Sequence, residues 1–140
     1  MGGERVLAID WGERRMGMAL SDETRTLATP LPTLEVRGAR AVVAEVARLI
    51  DERGVGVVVL GDPRHMDGRE SRIGEMVRRF AETILKARPE VRIVLWDERL
   101  TSIEAMAILK ERGERVRSKG RVDQLSAAVL LQCYLDSGAP

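Results

Sequence analysis

Apolar positions gather first into short runs. Arg5 to Asp10 is compact and apolar and ends in an acid, Trp11-Gly12-Glu13-Arg14 supplies a turn, and Met16 to Leu20 is a second run. The two runs are short enough and close enough to pair as a hairpin. Thr26 to Glu35 predicts a third strand, which Pro30 and Pro32 confine to a sheet edge or cut short. The period then changes. Val42, Val43, Val46, Leu49 and Ile50 recur at helical spacing with Arg and Glu between them, and Gly54 stands where a helix would stop. Val55 to Leu60 is a Val-rich strand, followed by a loop from Gly61 to Gly68. Ser71 is placed to cap a second helix with Ile73, Met76, Val77, Phe80 and Ile84 on one face, and Pro89 ends it. Val91 to Trp96 is the last strand, and helical segments follow over Ser102 to Glu111 and Val122 to Asp136.

Three strands at hairpin spacing, then alternating helix and strand, predict an α/β fold with a mixed sheet. Connections through helices make parallel crossovers and put the helices on the sheet faces. Ligands of such open sheets bind at the carboxyl ends of the parallel strands. No repeat, low-complexity tract or linker divides the chain, so residues 1–140 are expected to form a single domain.

Composition narrows the chemistry. Hydrophobic residues are 44% of the chain, the usual globular share. The apolar runs fall far short of the ~20 residues that span a bilayer, and no secretion signal opens the chain, so a cytoplasmic protein without membrane contact is expected. One cysteine, Cys133, and one histidine, His65, exclude a disulfide framework and a metal site built on several soft or imidazole ligands. Any metal is therefore held by carboxylate oxygen, which suits Mg2+ or Mn2+. The 23 basic and 22 acidic residues nearly cancel, and aromatics are only 3%. A surface that stacks many single-stranded bases is thereby disfavoured, and nucleic acid would be gripped by its phosphates and shape.

Acids stand where strands end: Asp10 after the first, Asp62 after the fourth, and Asp97-Glu98 after the fifth, while Asp123 begins the last helix. Acids at successive strand ends can converge on one sheet edge, where their mutual repulsion is relieved by a cation. The plainer alternative is that they are turn and cap residues. Alternation puts Val6, Ala8 and Asp10 on one face and Leu7, Ile9 and Trp11 on the other, which makes Trp11 a packing residue. Asp97 and Glu98 point to opposite faces, and spacing does not say which joins Asp10.

The run Asp10-Trp11-Gly12-Glu13-Arg14-Arg15-Met16-Gly17-Met18-Ala19-Leu20-Ser21-Asp22 resembles the opening motif of the YqgF/RuvX family. Pro30-Leu31 with Thr33-Leu34, and Gly61-Asp62-Pro63 with Met66-Asp67-Gly68, continue the likeness, although Asp62 replaces a usually apolar residue. Asp97-Glu98-Arg99-Leu100-Thr101-Ser102 with Glu104-Ala105 is the most specific block. Lys119, Val122-Asp123, Ala127-Ala128, Leu130-Leu131-Gln132 and Tyr134-Leu135-Asp136 complete it in order along nearly the whole chain. The resemblance implies an RNase H-like fold, with a five-stranded sheet of three antiparallel and two parallel strands and helices on both faces. It also implies a metal-dependent pre-16S rRNA nuclease or, on an older reading, a Holliday junction resolvase. By position it assigns Asp10, Glu98 and Asp123 as the acidic set holding Mg2+ or Mn2+, and leaves Asp97 a structural role.

Basic residues complete the expectations. Lys110, Arg112, Arg115, Arg117, Lys119 and Arg121 lie just ahead of Asp123, loosened by Gly113, Ser118 and Gly120. Composition alone suits a solvated loop; the family match at Lys119 favours a phosphate clamp. Arg14, Arg15 and Arg99 are further candidates to contact nucleic acid, with ion pairing as their alternative role. His65 is placed in a loop, where a proton shuttle competes with simple exposure, and Cys133 reads as a small core residue. No nucleotide-binding glycine pattern is complete, so no nucleotide cofactor is indicated. The expected substrate is structured RNA. The alternatives are a four-way DNA junction, whose symmetric cuts need a homodimer, and a non-catalytic nucleic-acid-binding module. Retention of all three acids argues against the last.

Overall fold

Residues Val6, Leu7, Ala8 and Ile9 are all fully buried, because the strand that carries them is covered on both faces. The structure is a computed structural model that describes residues 4–12, 14–62, 68–97 and 119–138; the side chains at 62, 68–71, 97 and 119–125 are not described. In chain order the described elements are β1 (Arg5–Asp10), β2 (Arg15–Ser21), β3 (Ala28–Glu35), α1 (Ala39–Arg53), β4 (Val55–Asp62), α2 (Gly68–Ala87), β5 (Arg92–Asp97) and α3 (Lys119–Asp136).

Among the described residues the strands form one five-stranded sheet in the order β3-β2-β1-β4-β5. β1 pairs antiparallel with β2, and β2 with β3; β1 pairs parallel with β4, and β4 with β5. β3 is the edge strand that Pro30 and Pro32 require, and the two prolines leave its rim short of N–H donors for another strand.

The two faces are packed differently. Leu7, Ile9, Met16, Met18, Leu20, Val58 and Leu60 meet α1 and α2 through Val42, Val46, Leu49, Ile50, Val77, Ala81 and Ile84. The other face is paved with smaller groups, Val6, Ala8, Ala19, Ala28, Val57 and Val59, and receives α3 through Ala127, Ala128, Leu131 and Tyr134. Small residues on both sides let this helix lie close to the sheet. Trp11 packs against the first cluster, as alternation requires.

Several boundaries move. α1 stops at Gly54 in the left-handed conformation, φ 65° and ψ 46°, as the glycine predicts. β4 runs on through Gly61 to Asp62 because β5 continues beside it, with Asp62 paired to Asp97. α2 starts at Gly68, so Ser71 lies inside the helix and is not its cap. α3 starts at Lys119, not Val122, its polar first turn carrying no apolar period. Val43 is half-buried at the flank of α1, and Cys133 likewise only borders the core. The expected helix from Ser102 to Glu111 lies outside the described residues. No helix among the described residues is long and apolar enough to cross a membrane.

Candidate active site at the carboxyl edge of the sheet

β1, β4 and β5 are parallel, and all three end in aspartate: Asp10, Asp62 and Asp97. Pairing of Ile9 with Leu60, Gly61 with Trp96 and Asp62 with Asp97 puts these ends side by side on one edge. Neighbouring strands lie about 4.8 Å apart, so the end of β5 is about 10 Å from Asp10 across β4.

The faces can now be assigned. Val6 and Ala8 pack under α3, so Asp10, two residues on and half-buried, belongs to the α3 face. Its cross-strand partner on β2 is Gly17. On β4, Val57 and Val59 share this face, which brings Gly61 to the row beside Asp10. Asp10 is therefore flanked along the sheet on both sides by residues with no side chain, Gly17 and Gly61. Gly12, just beyond, is tied to the hairpin itself: a Cβ there would lie 2.2 Å from the carbonyl oxygen of Arg15.

On β5, Val94 and Trp96 pack into the α3-side cluster, while Ile93 and Leu95 pack on the opposite side. The even-numbered positions of β5 thus share the face of Asp10. Trp96 meets Tyr134 of α3 edge-on, with ring centroids 5.6 Å apart.

α3 runs antiparallel to β1. Its later turns sit at the opposite edge, where Gln132 bonds the backbone of Thr26 and Ala28 at the start of β3. Ala28 pairs with Ser21, whose hydroxyl accepts the Val6 N–H at 2.8 Å, so Gln132 is level with Val6. From Gln132 back to Asp123 is about 13–14 Å of helix; from Val6 up to Asp10 is about 13 Å of strand. The backbone of Asp123 therefore reaches the level of Asp10, on the same face. Position 123 also precedes Ala127 by four, on the stripe that continues to Leu130 and Tyr134.

Of the acids that the resemblance selects, the structure brings Asp10 and the backbone of Asp123 to one end of one face. Glu98 lies outside the described residues, as do Arg99, Arg115, Arg117 and His65. Lys119 and Arg121 occupy the first turn of α3 at this edge. Exposed Arg14 and half-buried Arg15 stand at the start of β2, also at this edge. Two basic residues that the sequence pattern did not single out join them. The Val36 N–H donates to the Arg14 carbonyl at 2.8 Å, which carries Arg37 and Arg40 onto the same rim; Arg37 pairs with Glu35 at 2.9 Å. Their signal was the Val36-Arg37-Gly38-Ala39-Arg40 connection between a strand and a helix, legible only once β3 is known to end at the edge of Asp10.

Comparison with known proteins agrees with this architecture. Residues 4–137 match the family model described as "RuvX: Holliday junction resolvase". A curated relative from Rubrobacter xylanophilus is 44% identical over 96% of this chain and 94% of its own length, and one from Chloroflexus aurantiacus is 39% identical over 98% and 90%. Both carry the name "Putative pre-16S rRNA nuclease". Among solved structures, Thermus thermophilus RuvC in complex with a Holliday junction substrate superposes with a TM-score of 0.67 at 17% identity, covering 97% of each chain. The fowlpox virus resolvase bound to junction DNA superposes with a TM-score of 0.56 at 12% identity, covering 95% of this chain and 97% of that one. At these identities the likeness is one of fold.

Proposed function

The chain belongs to the RuvX family and is a nuclease, and we propose that it is a divalent-metal-dependent one that hydrolyses phosphodiester bonds of structured RNA, precursor 16S rRNA above all. The observation that carries this reading is the convergence at the carboxyl edge: Asp10 between two bare glycine positions, with the first turns of α3 arriving at its level.

The donor chemistry there fits a hard cation. Cys133 is one residue past Gln132, at the opposite end of α3, so oxygen is what the described site offers an ion. Asp10, Glu98 and Asp123 would hold it. The described even-numbered positions of β5, Val94 and Trp96, share the face of Asp10, and strand alternation from them supports the family's choice of Glu98 over Asp97 as the ligand. When bound, Mg2+ or Mn2+ would neutralise the clustered carboxylates and stabilise the charge that develops as the phosphodiester breaks. The protein's own part is positional. The sheet fixes Asp10, and α3 presents Asp123. Lys119 and Arg121 on one side, and Arg14 and Arg15 on the other, offset the negative edge for an approaching polyanion. Arg99, Arg115 and Arg117 would extend that grip.

RNA is favoured over junction DNA by the name that close relatives carry. The resolvase reading keeps the support of the family description.

The test is cleavage of RNA with Mg2+ or Mn2+, abolished by EDTA. Asp10→Asn and Glu98→Gln are expected to fold normally and lose cleavage by orders of magnitude, because an amide is a poorer ligand for a hard cation. Asp97→Asn should mainly alter stability. Undiminished cleavage by purified Asp10→Asn would remove the carboxylate from the mechanism; a dead Asp97→Asn beside an active Glu98→Gln would reverse the ligand assignment.

A further inference from the structure

Gln132 is a buried amide in an otherwise apolar stretch of α3, 3% exposed, and its contacts span the chain. Its Oε1 accepts the Ala28 N–H at 3.1 Å, and its Nε2 donates to the Thr26 carbonyl at 3.0 Å and to Asp136 Oδ1 at 3.0 Å. The partners fix which end is which, since a backbone N–H can only donate and a carbonyl only accept. A Met or Leu would fill the same volume on this face. The amide instead ties one turn of α3 to two backbone groups of the segment that opens β3.

That segment is itself held. Asp22 Oδ1 accepts the N–H groups of Thr26 at 2.8 Å and Leu27 at 3.0 Å, and its Oδ2 accepts the Thr24 hydroxyl. The β2–β3 turn is thus a fixed point, and Gln132 is where α3 is referred to it. Part of the contact between α3 and the sheet is made of small side chains, Ala8, Ala19, Ala28, Ala127 and Ala128, and its larger groups are apolar, Leu131 and Tyr134 with Trp96 edge-on to the tyrosine. Apolar packing is non-directional, whereas the two bonds of Gln132 to the Ala28 N–H and the Thr26 carbonyl are met at one axial position of the helix. A helix that slips by one residue moves by about 1.5 Å, and misplacement of a reacting group by about 1 Å can cost a hundredfold in rate.

We propose that Gln132 is a positioning residue for the metal-binding acids: it sets the axial register of α3 on the sheet and so the level at which Asp123 meets Asp10. This rests on the metal-nuclease reading above. The experiment compares Gln132→Met, which keeps the shape and removes every hydrogen bond, with Gln132→Asn, which keeps the amide but is one methylene too short. Val46→Ala, in the core under α1 on the other face, serves as a variant destabilised without touching α3. All are assayed well below their own Tm.

In the metal-free protein, hydrogen exchange at the Ala28 amide should accelerate in Gln132→Met and stay as in wild type in Val46→Ala. Calorimetric titration with Mn2+ should give several-fold weaker binding in both Gln132 variants, and kcat on RNA should fall ten- to a hundredfold with KM for RNA within about twofold. Val46→Ala should lose Tm yet keep Mn2+ affinity and kcat. Gln132 variants that lose Tm but keep wild-type Mn2+ affinity and kcat would overturn the proposal, and Gln132→Asn alone decides between the two outcomes if Gln132→Met does not fold. Failure of the underlying reading looks different: a wild-type protein without metal-dependent cleavage, or Asp123→Asn with undiminished Mn2+ affinity, would remove both.

Discussion

Trp96 packs edge-on against Tyr134 at an interplanar angle of 85°, yet its indole N–H is buried with no hydrogen-bond partner among the described residues. A buried donor without an acceptor costs about 1–3 kcal/mol, while an edge-to-face ring pair returns about 0.5–1.5 kcal/mol. Trp96→Phe keeps a ring in the contact and removes the donor. Urea unfolding should show stability unchanged or raised by up to ~1 kcal/mol; a loss above ~2 kcal/mol would show that the N–H is satisfied in solution. Residue-scale chemistry was only partly legible in the sequence. The face of Asp10 followed from alternation on β1, where one strand carries its own phase. The choice between Asp97 and Glu98 did not, because the phase of β5 is set by what packs on it, and Trp96 against Tyr134 is a contact between elements. A glycine after an apolar run looks like punctuation, so the sequence alone puts Gly61 in a loop; its place in the row beside Asp10 exists only through the pairing of β4 with β1 and β5.

The turn between β2 and β3 shows how an element boundary can depend on one half-buried side chain. Asp22 is held down to about 2, first by the Thr24 hydroxyl and then by the N–H groups of Leu27 and Thr26. A carboxyl depressed on folding contributes stability that is fully present above its unfolded value, near 3.8, and is lost as pH falls toward its folded value. The stability difference between wild type and Asp22→Asn should therefore be greatest above pH ~4 and shrink toward zero by pH ~2. Urea midpoints measured across that range check it; a pH-independent difference would mean that charge on Asp22 does not organise the turn. Elements with a strong internal signal were legible: α1 by its apolar period and Gly54, β3 as an edge by its two prolines. The starts of α2 and α3 were not, since Gly68-Arg69-Glu70 and Lys119-Gly120-Arg121 are polar first turns that look like loop until a packed stripe follows them.

On the scale of the molecule, hairpin spacing and crossovers were enough to anticipate a mixed sheet with helices on its faces. What they could not supply was the direction and height of α3, which depend on Gln132 reaching residues 104 and 106 positions away in the chain. That placement leads to the question of substrate. One nuclease centre, such as the one proposed at Asp10, cuts one strand. Resolving a four-way junction takes two cuts related by symmetry, hence two chains held at a fixed spacing. A nuclease trimming a precursor rRNA needs only one. Precursor small-subunit rRNA and a four-way DNA junction, offered together at equal concentration and near-physiological salt, should therefore be distinguished in favour of the RNA. Salt has to be matched because phosphate contacts dominate affinity for both and weaken steeply with ionic strength. Sedimentation in the same buffer should show rRNA cleavage by a species that has no need to dimerise, with specific activity independent of protein concentration. Symmetric junction cuts with no rRNA processing, and activity that rises with dimer fraction, would transfer the case to the resolvase reading while leaving the acidic site of Asp10 in place.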